Sequence, residues 1–150
     1  MSTSSNTPVK KSRRDGQISG LAGELFVAAE LLKRGLQTSV TFGNAKGVDL
    51  FSRHPETKKT FVVQVKALRT NNYFLLNPDK VDPGHVYVFV LLNAPGHAVR
   101  YFIVTGEALL QDPSRFGKGF LDPKLPGILP KTLAELDYEN AWDVFGPIVN

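Results

Sequence analysis

The chain has 150 residues, 42% of them hydrophobic, with 18 Lys/Arg against 14 Asp/Glu and no cysteine. That is the size of one domain able to bury a real core. It excludes disulfides and thiolate metal sites and points to a reducing cytoplasm. No apolar run approaches the roughly 20 residues of a membrane span, and residues 1–8 lack the apolar core of a signal peptide. A cytoplasmic protein without a membrane partner is the expectation.

Charge is unevenly spread. Residues 1–70 carry 12 Lys/Arg against 5 Asp/Glu, a net +7, and residues 71–150 carry 6 against 9, a net −3. A basic first half suits a polyanionic partner, although basic residues also serve solubility.

In chain order, residues 1–16 read as a flexible arm ending in the basic cluster Lys10, Lys11, Arg13 and Arg14. Residues 17–150 form a single domain. A helix is predicted from about Ser19 to Arg34, stopped by Gly35, with an apolar stripe Leu21, Leu25, Ala28, Leu31 and Leu32 facing a sheet. Strands are predicted at Thr38–Phe42, Val48–Phe51, Thr60–Ala67, Tyr73–Leu76, His85–Leu92 and Val99–Val104. Thr105 is the N-cap of a short helix over Gly106–Gln111. A stretch rich in proline and glycine, Asp112–Pro130, reads as a loop, and a last helix is predicted over Thr132–Phe145.

Two short segments carry the chemistry. Asp49 lies inside Gly47-Val48-Asp49-Leu50-Phe51, and Gln64 and Lys66 lie inside Phe61-Val62-Val63-Gln64-Val65-Lys66-Ala67. Charged and amide groups in such apolar runs cost free energy unless partners compensate. Strand alternation points Gln64 and Lys66 the same way and Val63 and Val65 the other. A hairpin between the segments brings Asp49 beside that pair. Glu24 interrupts the apolar stripe of the first helix, on its sheet side. The bland alternatives are a capping glutamate, a loop-capping aspartate and a lysine snorkelling to solvent.

Aspartate, a hairpin, then Gln-x-Lys, preceded by Gly20-Leu-Ala-Gly-Glu24 on a helix, resembles the PD-(D/E)XK nuclease superfamily. The Gln-x-Lys form is similar to its Mrr-type restriction-endonuclease branch and to small uncharacterised bacterial relatives. The resemblance spans Gly20 to roughly Thr105. It implies an α/β restriction-endonuclease-like sandwich, a mixed central sheet flanked by helices. It further implies a magnesium-dependent DNA endonuclease, with Mn²⁺ as an alternative ion. Glu24, Asp49, Gln64 and Lys66 would be catalytic, and Asp49, the Gln64 side-chain carbonyl and the Val65 backbone carbonyl would hold the metal. Lys10, Lys11, Arg13, Arg14 and Arg69 would contact nucleic acid. A crossing helix is missing between residues 68 and 84, where a short strand or loop is expected instead. Since Gln64 is neutral, a decayed nuclease fold that only binds nucleic acid or protein is the alternative. RNA as substrate and a homodimer stay open.

Overall fold

The computed structural model describes residues 13–150, with side chains from Gly16 onward. The chain opens with α1 (Arg13–Lys33) and continues through β1 (Gln37–Val40), β2 (Leu50–Arg53) and β3 (Thr60–Leu68). Then come β4 (Phe74–Leu75), β5 (Val86–Leu91), β6 (Arg100–Thr105), α2 (Gly106–Gln111), β7 (Gly127–Ile128) and α3 (Pro130–Glu135). The main sheet has the order β1-β2-β3-β5-β6. Its first three strands form an antiparallel meander, β5 runs parallel to β3, and β6 pairs antiparallel with β5. The molecule is thus α/β with a mixed five-stranded sheet. Among the described residues no helix is long and apolar enough to cross a membrane.

β5 and the middle of β6 are buried on both faces, as the unbroken apolar run Val86–Leu91 requires, while β3 is half-buried over Gln64–Leu68. Alternation divides them between two cores. Val63, Val86, Val88 and Val90 meet Val27, Ala28 and Leu31 of α1 on one face. Tyr87, Phe89, Leu91, Phe102 and Val104 meet Phe74, Phe116, Phe120 and Ile128 on the other. The Asp112–Pro130 stretch is therefore more than a loop. It carries two 3₁₀ turns whose Phe116 and Phe120 are buried, and its β7 pairs with β4 in a separate two-stranded sheet.

Several sequence expectations need correction. α1 starts at Arg13, not Ser19, so Arg13–Gly16 belong to the helix rather than to a flexible arm; once nucleated, a helix gains a hydrogen bond per added residue. Its buried face is Ser19, Gly23, Val27, Ala28 and Leu31, while Leu21, Leu25 and Leu32 are exposed. A helix apolar nearly all round leaves the choice of face to packing. Gly23 decides it, because a Cβ there would stand 2.6 Å from Ala67 Cβ, so only a glycine lets α1 approach β3 this closely. The expected helix over Thr132–Phe145 is instead α3 and a separate 3₁₀ turn at Trp142–Phe145. Asp137 (φ 64°) and Asn140 (φ 56°) lie in the left-handed region between them and end the helix. The β3-to-β5 connection holds β4 and a 3₁₀ turn at Pro78–Lys80, as the missing helix signal implied.

Candidate active site

The site sits where β2 stops and β3 runs on. β2 pairs with β3 only from Thr60 to Val63, whereas β5 pairs with β3 from Val63 to Leu68. Beyond Val63, the β2 side of β3 has no strand to receive its N–H groups, and an unpaired backbone donor is costly if it stays dry. Asp49, one residue before β2, takes the first of them: its Oδ2 accepts from the Val65 N–H at 2.7 Å. The loop before it is pinned at its base, where the Thr41 N–H donates to Asp49 O at 3.0 Å and Thr41 Oγ1 donates to Val48 O at 2.8 Å. Gly47, at φ 71°, supplies the left-handed turn that brings the chain back.

Glu24 arrives from the helix. The close approach at Gly23 half-buries the next residue and carries its carboxyl group to Asp49. Burial first, and then a shared hydrogen bond and the charge of Asp49, push the Glu24 pKa up from 4.5 to about 7. Near neutral pH the pair therefore holds a proton part of the time. A cation placed between two such oxygens replaces that proton at lower cost. Among the described residues no three His, Cys, Asp or Glu side chains form a ready metal cluster. The hard oxygen donors that do meet are Glu24 and Asp49.

Gln64 and Lys66 share one face of β3 and line an open pocket of about 410 Å³ with Gly47, Asn77 and Lys80. Register explains what holds Gln64: it lies opposite Tyr87 on the parallel neighbour β5, with His85 in the bend just before that strand. The Gln64 Nε2 donates to His85 Nδ1 at 2.9 Å and to Tyr87 Oη at 3.1 Å. An amide nitrogen only donates, so His85 carries its proton on Nε2, 3.3 Å from Asp82 Oδ2. The Asp82 N–H in turn donates to Tyr87 Oη at 2.9 Å. With its nitrogen anchored twice, the Gln64 amide has a set orientation and leaves its carbonyl oxygen for another partner. In the sequence His85 reads only as the structural opening of a strand and Tyr87 as part of its apolar run, because both matter to Gln64 only through pairing. The signal available was their spacing of two at the start of an otherwise apolar strand.

The structure thus brings Glu24 to Asp49 and ties Asp49 to Val65, whereas Gln64 and Lys66 point to the face of β3 away from α1 and line a pocket that neither carboxylate borders. Val65 holds Asp49 through its N–H, and its backbone carbonyl, expected as a metal ligand, faces the same open edge of β3. Arg69 lies elsewhere, lining a mostly apolar cavity with Phe26, Pro95 and His97. Arg13 and Arg14 fall in the first turn of α1, and Lys10 and Lys11 lie outside the described residues. His54 is buried and structural: its Nε2 is 2.7 Å from Pro147 O and its Nδ1 accepts from the Glu56 and Thr57 N–H groups. No family model matches the chain, and no curated protein or solved structure matches it.

Proposed function

We propose that the protein is a magnesium-dependent DNA endonuclease of the cytoplasm, built on a restriction-endonuclease-like α/β fold. The observation that carries this is the meeting of helix-borne Glu24 with Asp49 at the open edge of β3, one residue away from Gln64 and Lys66 along the same strand. Two carboxylates that repel one another beside a lysine-lined pocket suit a divalent cation and a phosphodiester. Glu24, Asp49 and the Gln64 carbonyl would hold Mg²⁺, with Mn²⁺ as a substitute. The bound ion would polarise the phosphate and lower the pKa of the attacking water. Lys66 places an ammonium where negative charge grows on the phosphate. Glu24, near neutrality in pKa, is suited to exchange a proton with water at the site. His85 and Tyr87 keep the Gln64 carbonyl turned away from their own strand.

Two observations favour a second assignment, a nucleic-acid-binding module on a decayed site: Asp49 already serves the fold by accepting from the Val65 N–H, and Gln64 brings no charge. Cleavage assays separate the two. Mg²⁺-dependent nicking of plasmid DNA by the wild type should vanish in Asp49→Ala and fall at least a hundredfold in Lys66→Ala, with both variants folded. Losing the acceptor for Val65 costs about 1–3 kcal/mol, partly offset by relief of the repulsion on Glu24. Metal-dependent cleavage undiminished in folded Asp49→Ala would refute the nuclease assignment. DNA bound but never cut, with any divalent ion, would favour the binding module.

A further inference from the structure

Two clefts adjoin beside the candidate site, of about 410 and 430 Å³, and Leu75 and Leu125 line both. These leucines are 54% and 64% exposed. The first cleft holds Lys66 and Lys80, and among the described residues neither lysine has a carboxylate partner. The second holds Tyr73, 43% exposed and without an aromatic partner among the described residues. Its ring lies against Gly119, where a Cβ would meet Tyr73 Cε1 at 2.8 Å, so the glycine is what lets the ring rest on the loop. Asp122 also lines this cleft, but its Oδ1 accepts from the Lys124 and Leu125 N–H groups at 2.9 and 3.3 Å, which offsets its charge.

We propose that the two clefts form one track for single-stranded DNA, with backbone phosphate on Lys66 and Lys80 and an unpaired base on Tyr73 between Leu75 and Leu125. Two unpartnered lysines alone would suit any polyanion. The aromatic ring and paired leucines in the adjoining cleft demand more, namely the flat apolar face of a base. A duplex keeps those faces inside its stack, and a base reaches a concave cleft only when unpaired. Stacking of this kind tolerates any sequence, since every base has such a face. The inference rests on the proposed nuclease in one respect: the phosphate on Lys66 would be at or next to the one cleaved. The substrate class is then DNA with an unpaired stretch, such as an overhang or a flap.

Binding and cleavage are tested apart. With the full chain in EDTA, fluorescence anisotropy should show tighter binding of a short labelled single strand than of the same sequence annealed to its complement. Tyr73→Ala should weaken single-strand binding roughly tenfold and duplex binding much less. Tyr73→Phe should restore it, and duplex binding retained in Tyr73→Ala excludes a folding defect. Lys80→Ala should weaken both and flatten the salt dependence by about one unit of log–log slope. Duplex bound as tightly as single strand, equal weakening of both in Tyr73→Ala, a preference for single-stranded RNA over DNA, or no binding of either would overturn the proposal. Mg²⁺-dependent cleavage run in parallel keeps the two ideas distinct. Cleavage without single-strand preference leaves the nuclease and removes the track, whereas Tyr73-dependent binding without cleavage does the reverse.

Discussion

Burial beside Asp49 keeps the Glu24 carboxyl protonated up toward the neutral range, and this has a measurable sign. Folding raises the Glu24 pKa from 4.5 to about 7. Between those values the folded state holds a proton that the unfolded state has released, so in metal-free buffer stability falls as pH rises through that window. Glu24→Gln should flatten the fall. Melting temperatures of both proteins at about pH 5 and about pH 7.5 check it, and an equal fall in the two would place the effect elsewhere. Gln64 offers a second residue-scale test. If His85 orients it, His85→Ala should weaken Mg²⁺ binding about tenfold, as removal of a supporting hydrogen bond behind a ligand commonly does. Calorimetric titration reads this without reference to cleavage, and unchanged affinity would show that the bond to His85 serves only the fold. Asp49 was recognisable in the sequence as a carboxylate in an apolar run. Its bond to Val65 was not, because nothing local shows where β2 stops pairing.

α1 and β3 form the joint on which the site depends. Gly23 has no room for a side chain against Ala67, and the depth of that approach decides how far Glu24 is buried. Gly23→Leu should therefore do two things at once. It should destabilise the protein by about 1–3 kcal/mol in urea unfolding, the usual cost of overpacking. It should also lift Glu24 from Asp49 and reduce cleavage more than the drop in stability explains. Full activity in a destabilised variant would mean that the helix position is not what sets the site. The helix itself was legible from its length of apolar periodicity and from Gly35, which adopts φ 90° at its end. Its buried face was not, since Leu21, Leu25 and Leu32 carry the same hydrophobic signal as Val27 and Leu31 while lying outside.

At the scale of the whole molecule, the basic first half bears on how any polyanion is drawn in. Lys10 and Lys11 precede α1, and Arg13 and Arg14 open it. Deleting residues 1–12 should lower the slope of log affinity against log salt by about one unit for each phosphate that those lysines neutralise. Fluorescence binding curves at several salt concentrations measure it, and an identical slope in the truncated protein would leave the two lysines no part in binding. Removing residues 1–16 would cut into α1, so the shorter deletion is the cleaner comparison.

By itself the sequence determined that this is an α/β fold, where β3 and β5 run, and that Asp49, Gln64 and Lys66 are polar groups set in apolar runs. Those follow from local rules: apolar runs bounded by turns, alternation along a strand, and a charge where charge is expensive. Tertiary structure alone decided the rest. It set which face of α1 is buried, through one glycine against one alanine. It turned the proline-rich stretch into a wall of the second core, because Phe116 and Phe120 found a sheet face to cover. It also joined Gln64 to His85 across 21 residues of chain. That bond depends on the parallel register of two strands, and register is fixed by how both faces of the sheet pack at once.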